Sequence, residues 1–186
     1  MSQQVIGIVV GSIRNGSYSR SVANYIASQS TENVSYKILE IGNLPLYNQD
    51  LDTNPPKEWV GFREQVKALD GVLFITPEHN RSLPAALKNA LDIASRPYGS
   101  SVWNGKPGGI ISVSPGALGG FGANHHLRQV LTFLNVLTLQ QPEAYLGNIT
   151  VSLDENGVLV SENLKAFLHG YLESLTQWVS LIASAK

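Results

Sequence analysis

The sequence predicts an α/β domain built on a parallel sheet with helices on both faces, and three observations predict it. The apolar runs at 5–10, 72–76 and 108–113 show no in–out alternation, as expected of strands buried on both sides. Segments with apolar residues at helical spacing separate these runs. The polar or glycine-rich stretches 11–20, 77–82 and 114–122 each follow a strand, which places them at carboxyl ends, where such sheets hold their ligands.

In chain order, the strand at 5–10 breaks into the loop from Gly11 to Arg20, and a helix from Ser19 to Ser30 follows. A second strand at 35–40 ends in the turn Gly42-Asn43-Leu44-Pro45, and residues 46–57 read as a loop. Trp59, Phe62, Val66 and Leu69 recur at helical spacing and predict a helix from 56 or 57 to 69. Asp70-Gly71 breaks it before the strand at 72–76, whose β-branched and aromatic residues suit a central position. After the polar loop 77–82, a helix opens at Pro84, with Ser82 expected as its cap. Its buried face is Leu83, Leu87, Ala90, Leu91 and Ala94. The fourth strand is 108–113, followed by the glycine-rich 114–122, a helix from Asn124 to Leu134 and a short fifth strand at 136–139. Residues 142–160 read as loop or a small hairpin around Asp154-Glu155-Asn156, and Leu164 to Ile182 closes the chain as an amphipathic helix. No linker or repeat divides residues 1–186, so one domain is expected.

Bulk composition excludes several function classes. Thirteen basic and fourteen acidic side chains leave a net charge of −1, which argues against a nucleic-acid partner. Cysteine is absent, which removes thiolate catalysis and iron–sulfur ligation. Met1-Ser2-Gln3-Gln4 lacks the basic region of a signal peptide, and no apolar run approaches ~18 residues. A cytoplasmic protein that spans no membrane is therefore expected.

The first loop carries the clearest chemistry. A buried strand that ends in glycine, hydroxyls and arginines, then enters a helix, describes a phosphate site. Free N–H groups at the helix start point at the anion, serine hydroxyls donate further bonds, and a guanidinium supplies a charged partner. The loop has neither the Gly-x-x-x-x-Gly-Lys-Ser/Thr pattern nor Gly-x-Gly-x-x-Gly, and its many hydroxyls suit a terminal monophosphate. A Gly-x-Ser-x-Gly nucleophile elbow is also missing.

Taken together, four motifs resemble the NADPH-dependent FMN reductase family, which includes quinone, azo-dye and chromate reductases. They are Gly11-Ser12-Ile13-Arg14-x-x-Ser17-x-Ser19-Arg20, Thr76-Pro77-Glu78-His79-Asn80-x-Ser82-x-Pro84-x-x-Leu87-Lys88-Asn89-Ala90-x-Asp92, Gly105-Lys106-Pro107 and Ser114-Pro115-Gly116-x-x-Gly119-Gly120. The resemblance implies a flavodoxin-like three-layer sandwich with a five-stranded sheet in the order 2-1-3-4-5. It implies Ser12, Arg14, Ser17, Ser19 and Arg20 around the FMN phosphate. Pro77, Glu78, His79, Asn80 and Arg81 would run along the isoalloxazine, with Ser114 and Gly116 on the opposite wall. His79 stands where the family commonly has Tyr, in a loop whose backbone makes much of the contact.

The reaction the resemblance implies needs no catalytic side chain: flavin N5 takes a hydride from NADPH or NADH and passes electrons to a small-molecule acceptor at the same face. Related enzymes are homodimers or homotetramers, for which Trp59, Tyr98, Trp103 and Phe121 are candidate contact residues, Trp103 reading as readily as a hydrophobic plug. Three alternatives stay open here: a flavodoxin-type electron carrier, a non-enzymatic flavin sensor, and a reductase that releases its reduced flavin. Adjacent His125 and His126 point about 100° apart on a helix, so a structural or interface role is expected rather than metal ligation. Lys88, Asn89 and Asp92 form a polar helix face, from which Asn89 or Asp92 offers support to the flavin loop.

Overall fold

The apolar run that opens the chain forms a strand with a neighbour on each side, and the rest of the sheet is laid out around it. The computed structural model describes residues 3–185. In chain order the elements are β1 (Gln4–Val10), α1 (Tyr18–Ser28), β2 (Val34–Leu39), α2 (Lys57–Lys67), β3 (Gly71–Thr76) and α3 (Ala85–Ala94). β4 (Pro107–Val113), α4 (Phe121–Phe133), β5 (Leu137–Thr138), β6 (Ala144–Leu146) and α5 (Glu162–Ser184) follow. All pairings are parallel, in the order β2-β1-β3-β4-β5, with β6 also paired to β4. That is the order the resemblance implied.

The unalternating strands are explained by the two core layers. Ile6, Ile8 and Val10 of β1 and Leu73 and Ile75 of β3 face α1 and α5. Val9 of β1 and Val72 and Phe74 of β3 point the other way, toward α2, α3 and α4. Successive side chains of a strand enter opposite layers, so both sets must be apolar.

Three expectations are corrected. Residues 144–146, read as loop or hairpin, form β6, which pairs with β4 at Ile111–Val113 while β5 pairs with it at Pro107 and Gly108. The outer strand is thus interrupted, and the antiparallel hairpin contact lies further on, between Leu153 and Leu159. Ser82 does not cap α3: the helix starts after Pro84 with no side-chain cap, and the Ser82 hydroxyl lies 2.8 Å from His126 Nδ1. Trp59 is not a surface residue, and Trp103 is the hydrophobic plug rather than the anchor; both are fully buried in the α2–α3–α4 layer, their indole N–H groups donating to Pro45 O and Leu91 O.

The interruption between β5 and β6 leaves Ile110 of β4 facing no strand on that side. Tyr171 of α5 fills the place: its hydroxyl accepts from Ile110 N at 2.7 Å and donates to Ile110 O at 3.0 Å. One phenol therefore does the work of a missing residue pair, satisfying two interior backbone groups.

Asn89 supports a different loop from the expected one. Its Oδ1 accepts from Tyr47 N at 2.8 Å, and its Nδ2 donates to Leu44 O and Pro45 O at 3.2 Å. Asn89→Ala is expected to cost about 1–3 kcal/mol, because it strips bonds from part-buried backbone. A lowered urea midpoint with unchanged ligand affinity would show it, since the 44–47 loop lies outside the site described next.

Candidate functional site

The strand order reverses between β1 and β3, and the loops that follow β1, β3 and β4 converge there. They enclose a cavity of about 180 Å³. Ser12, Arg14, Ser17 and Ser19 line it from the first loop, Pro77, Glu78 and His79 from the second, and Pro115 from the third. Seven of the twelve residue positions expected from the sequence line this space, and Ser114 and Gly116 flank it as the neighbours of Pro115.

The first loop runs from the end of β1 into the start of α1. Ser17 is the N-cap of α1, its Oγ accepting from Arg20 N at 3.3 Å, and the first helical turn holds no acidic residue. Ser19 is 1% exposed, and among the described residues its Oγ is a buried atom with no hydrogen-bond partner. Orphaning a buried hydroxyl is costly, and this one lines the cavity beside the unpaired N–H groups that every helix start presents. The Arg14 guanidinium lies over the Tyr18 ring at 4.9 Å and donates to Asn15 O, at the rim of the same space.

Arg20 is placed differently. Its two terminal nitrogens donate to both carboxylate oxygens of Glu40 at 2.7 Å, at the end of β2. Those bonds hold the Glu40 carboxyl below the usual carboxylate range. Arg20 lines an adjoining cavity of about 330 Å³ with Arg14 and Glu40, and it is absent from the lining of the smaller one.

The second loop is a tight turn. His79 and Ser82 exchange both backbone hydrogen bonds at 2.9 Å, with Asn80 at φ 50° and Arg81 at φ 66° between them. Two positive φ values in a two-residue loop make the I′ pattern, which favours Asn and Gly; Arg is strained there. Asn80 and Arg81 project from the tip, and the Arg81 side chain is 75% exposed.

Glu78 links that tip to the next helix. Its Oε2 accepts from Ala123 N, at the start of α4, at 3.0 Å, and its Oε1 accepts from Arg81 at 3.3 Å. α4 has no cap of its own, since its N-cap is Gly120, and Glu78 supplies one from another loop. The start of α4 is thus already met by a carboxylate, and among the described residues the start of α1 is not.

On the third loop, Ser114 Oγ accepts from Gly116 N at 3.0 Å. Beyond it lies an aromatic group that sequence reading missed as a unit. Phe121 and His125 have ring centroids 4.1 Å apart, and His125 stacks on Tyr145 with a hydrogen bond of 3.0 Å between Nε2 and the hydroxyl. Burial, then Glu143, raises the Tyr145 hydroxyl above its ordinary range. Each histidine is engaged separately, His125 by Tyr145 and His126 by Ser82. Among the described residues no cluster of three or more ionisable ligands is arranged for a metal ion, and no helix is long and apolar enough to cross a membrane.

Comparison with known proteins adds to this geometry. Residues 4–151 match a family model described as NADPH-dependent FMN reductase. A quinone reductase of Pseudomonas putida is 49% identical over 177 residues, covering 95% of each chain. A 2-hydroxy-1,4-benzoquinone reductase of a Burkholderia species is 44% identical, covering 94% of this chain and 95% of its own. Among solved structures, the flavoenzyme NAD(P)H:(acceptor) oxidoreductase FerB of Paracoccus denitrificans superposes with a TM-score of 0.88 at 32% identity, covering 95% of this chain and 97% of its own.

Proposed function

Because the chain belongs to the NADPH-dependent FMN reductase family, we propose that it is an FMN-dependent NAD(P)H oxidoreductase whose acceptors are quinones or similar small aromatic molecules, reduced in a ping-pong cycle. The observation that carries the reading is the buried, partnerless hydroxyl of Ser19 in a cavity at the β1–β3 switch point, where proteins of this topology hold FMN. The residues present fit the phosphate of that group: one helix start without an acidic residue, three serines and Arg14.

In this reading Ser12, Ser17 and Ser19 donate to phosphate oxygens alongside the first N–H groups of α1, and Arg14 swings from Tyr18 to supply charge. Arg20, held by Glu40, shapes the outer wall and is not a direct ligand. Pro77 and His79 border one side of the ring position and Ser114 to Gly116 the other. Bound FMN supplies the redox chemistry, accepting a hydride from a nicotinamide and returning electrons to the acceptor. The chain's part is to orient both partners against one face. Phe121, His125 and Tyr145 lie beyond the third loop. Tyr98 and Phe121, 92% and 51% exposed, are the surface residues left for the contact of a homodimer or homotetramer, now that Trp59 and Trp103 are internal.

The test is an anaerobic visible spectrum of the FMN-loaded protein before and after one equivalent of NADPH, with NADH in parallel. Rapid bleaching of the flavin band, reversed by a benzoquinone, is expected. Bound FMN that neither nucleotide bleaches would point to a carrier or sensor, and failure to bind FMN would overturn the phosphate assignment.

A further inference from the structure

We infer that Glu78 is a positioning residue that locks two walls of the ligand site to each other, an inference that rests on the flavin reading above. The second wall, 77–82, and the third, 114–120, come from loops after different strands, and among the described residues no backbone hydrogen bond joins them. Two side-chain links join the second loop to α4, which continues the third wall. One is Glu78 Oε2 on Ala123 N at 3.0 Å; the other is Ser82 Oγ beside His126 Nδ1 at 2.8 Å.

The Glu78 link is the better placed of the two. It reaches the first turn of α4, where a negative charge meets the positive end of the helix dipole. Its side chain is 15% exposed, so water competes little for the bond. Its second oxygen holds Arg81, which sits at φ 66° in the turn. A strained backbone of this kind persists only where its surroundings hold it. The carboxylate therefore spans the wall: one oxygen steadies the turn and the other is fixed to the helix beyond the opposite loop.

Gly122 carries an independent sign of the same fit. A Cβ there would stand 2.9 Å from Glu78 Oε2 and 3.2 Å from Arg81 O, so the glycine leaves room for the carboxylate to reach the helix start. A Cβ at 122 would press on both the Glu78 carboxylate and the Arg81 carbonyl, so the carboxylate or the turn would have to give way.

The test compares Glu78→Ala, Glu78→Gln and Gly122→Ala with the parent protein, with and without FMN. Glu78→Ala is expected to speed amide hydrogen exchange at both 79–82 and the start of α4, even without FMN. It is expected to weaken FMN binding about tenfold, because binding must then order walls that the carboxylate no longer holds together. The spectrum of its bound flavin should move toward that of free FMN, with kcat lowered more than the nicotinamide KM is raised. Glu78→Gln keeps an oxygen for Ala123 N and should recover affinity to within about threefold of the parent, charged bonds being roughly twice as strong as neutral ones.

Faster exchange at 79–82 alone, or equal defects in the Ala and Gln variants, would overturn the inference. Should Glu78→Ala fail to fold, Gly122→Ala carries the same test from the helix side, and parent-like exchange there would be fatal to it. A parent protein that binds no FMN would instead refute the flavin reading, while the exchange result would still decide whether Glu78 joins the walls.

Discussion

Tyr171→Phe is expected to lower the stability of the folded chain by about 2–4 kcal/mol, since two buried backbone groups each lose their partner. The variant keeps the ring and its packing, so the loss isolates the hydroxyl on Ile110 N and O. In a chain of this size that should lower the midpoint of thermal unfolding by on the order of 10 °C. Alkaline pH gives a second reading. Burial pushes the Tyr171 hydroxyl well above the ordinary tyrosine range, so the folded state holds that proton more tightly than the unfolded chain does. The stability linked to it is complete below about pH 10, the ordinary tyrosine value, and is lost as pH rises beyond it. Urea titrations of the parent should weaken over that range, and the Phe variant should weaken less. A variant as stable as its parent at neutral pH would mean that water, not Tyr171, can serve Ile110.

Arg14→Ala is expected to weaken FMN binding by about 1.5–3 kcal/mol, the worth of a charged hydrogen bond, which is roughly ten- to a hundredfold in dissociation constant. Folding should be nearly untouched, because the side chain is exposed and, among the described residues, bonds to Asn15 O and lies over the face of Tyr18. Arg20→Ala separates the two arginines. Its guanidinium is already committed to Glu40, so the expected change in FMN affinity is small and the larger effect falls on the packing of α1 against the end of β2. Titration of the flavin's fluorescence into each folded variant would decide. The opposite ranking would return the phosphate to Arg20 and require Glu40 to release it.

What could be read from the sequence and what could not divide along a physical line. β1, β3 and β4 were legible because burial on both faces leaves an unbroken apolar run, and the loops after them because glycine, serine and arginine interrupt it abruptly. β6 was not legible: Ala144-Tyr145-Leu146, between Pro142 and Gly147, is too short to show any period. The indole groups of Trp59 and Trp103 suggested surface anchors, yet each finds a carbonyl inside the fold that no local pattern announces. Partnership across the chain was the general blind spot. Glu40 lies 20 residues from Arg20, and Ala123 lies 45 from Glu78, so the first arginine pair and the α4 cap emerge only once the strands are set side by side. The composition of the site was readable; which of its charges are spoken for was not.

The divided outer strand has a bearing on how this protein behaves when crowded with its own copies. A sheet grows into an aggregate by offering a neighbour a continuous row of backbone donors and acceptors. On the β5–β6 side that row stops after two residues and resumes for three, and in the gap the backbone of Ile110 on β4 is already taken by a phenol from α5. The other margin, β2, runs for six residues but carries Lys37 in an exposed position along it, a charge that a stacked copy would have to face with its own. Neither margin is an inviting template, so the sheet is closed to its own kind by brevity on one side and by repulsion on the other.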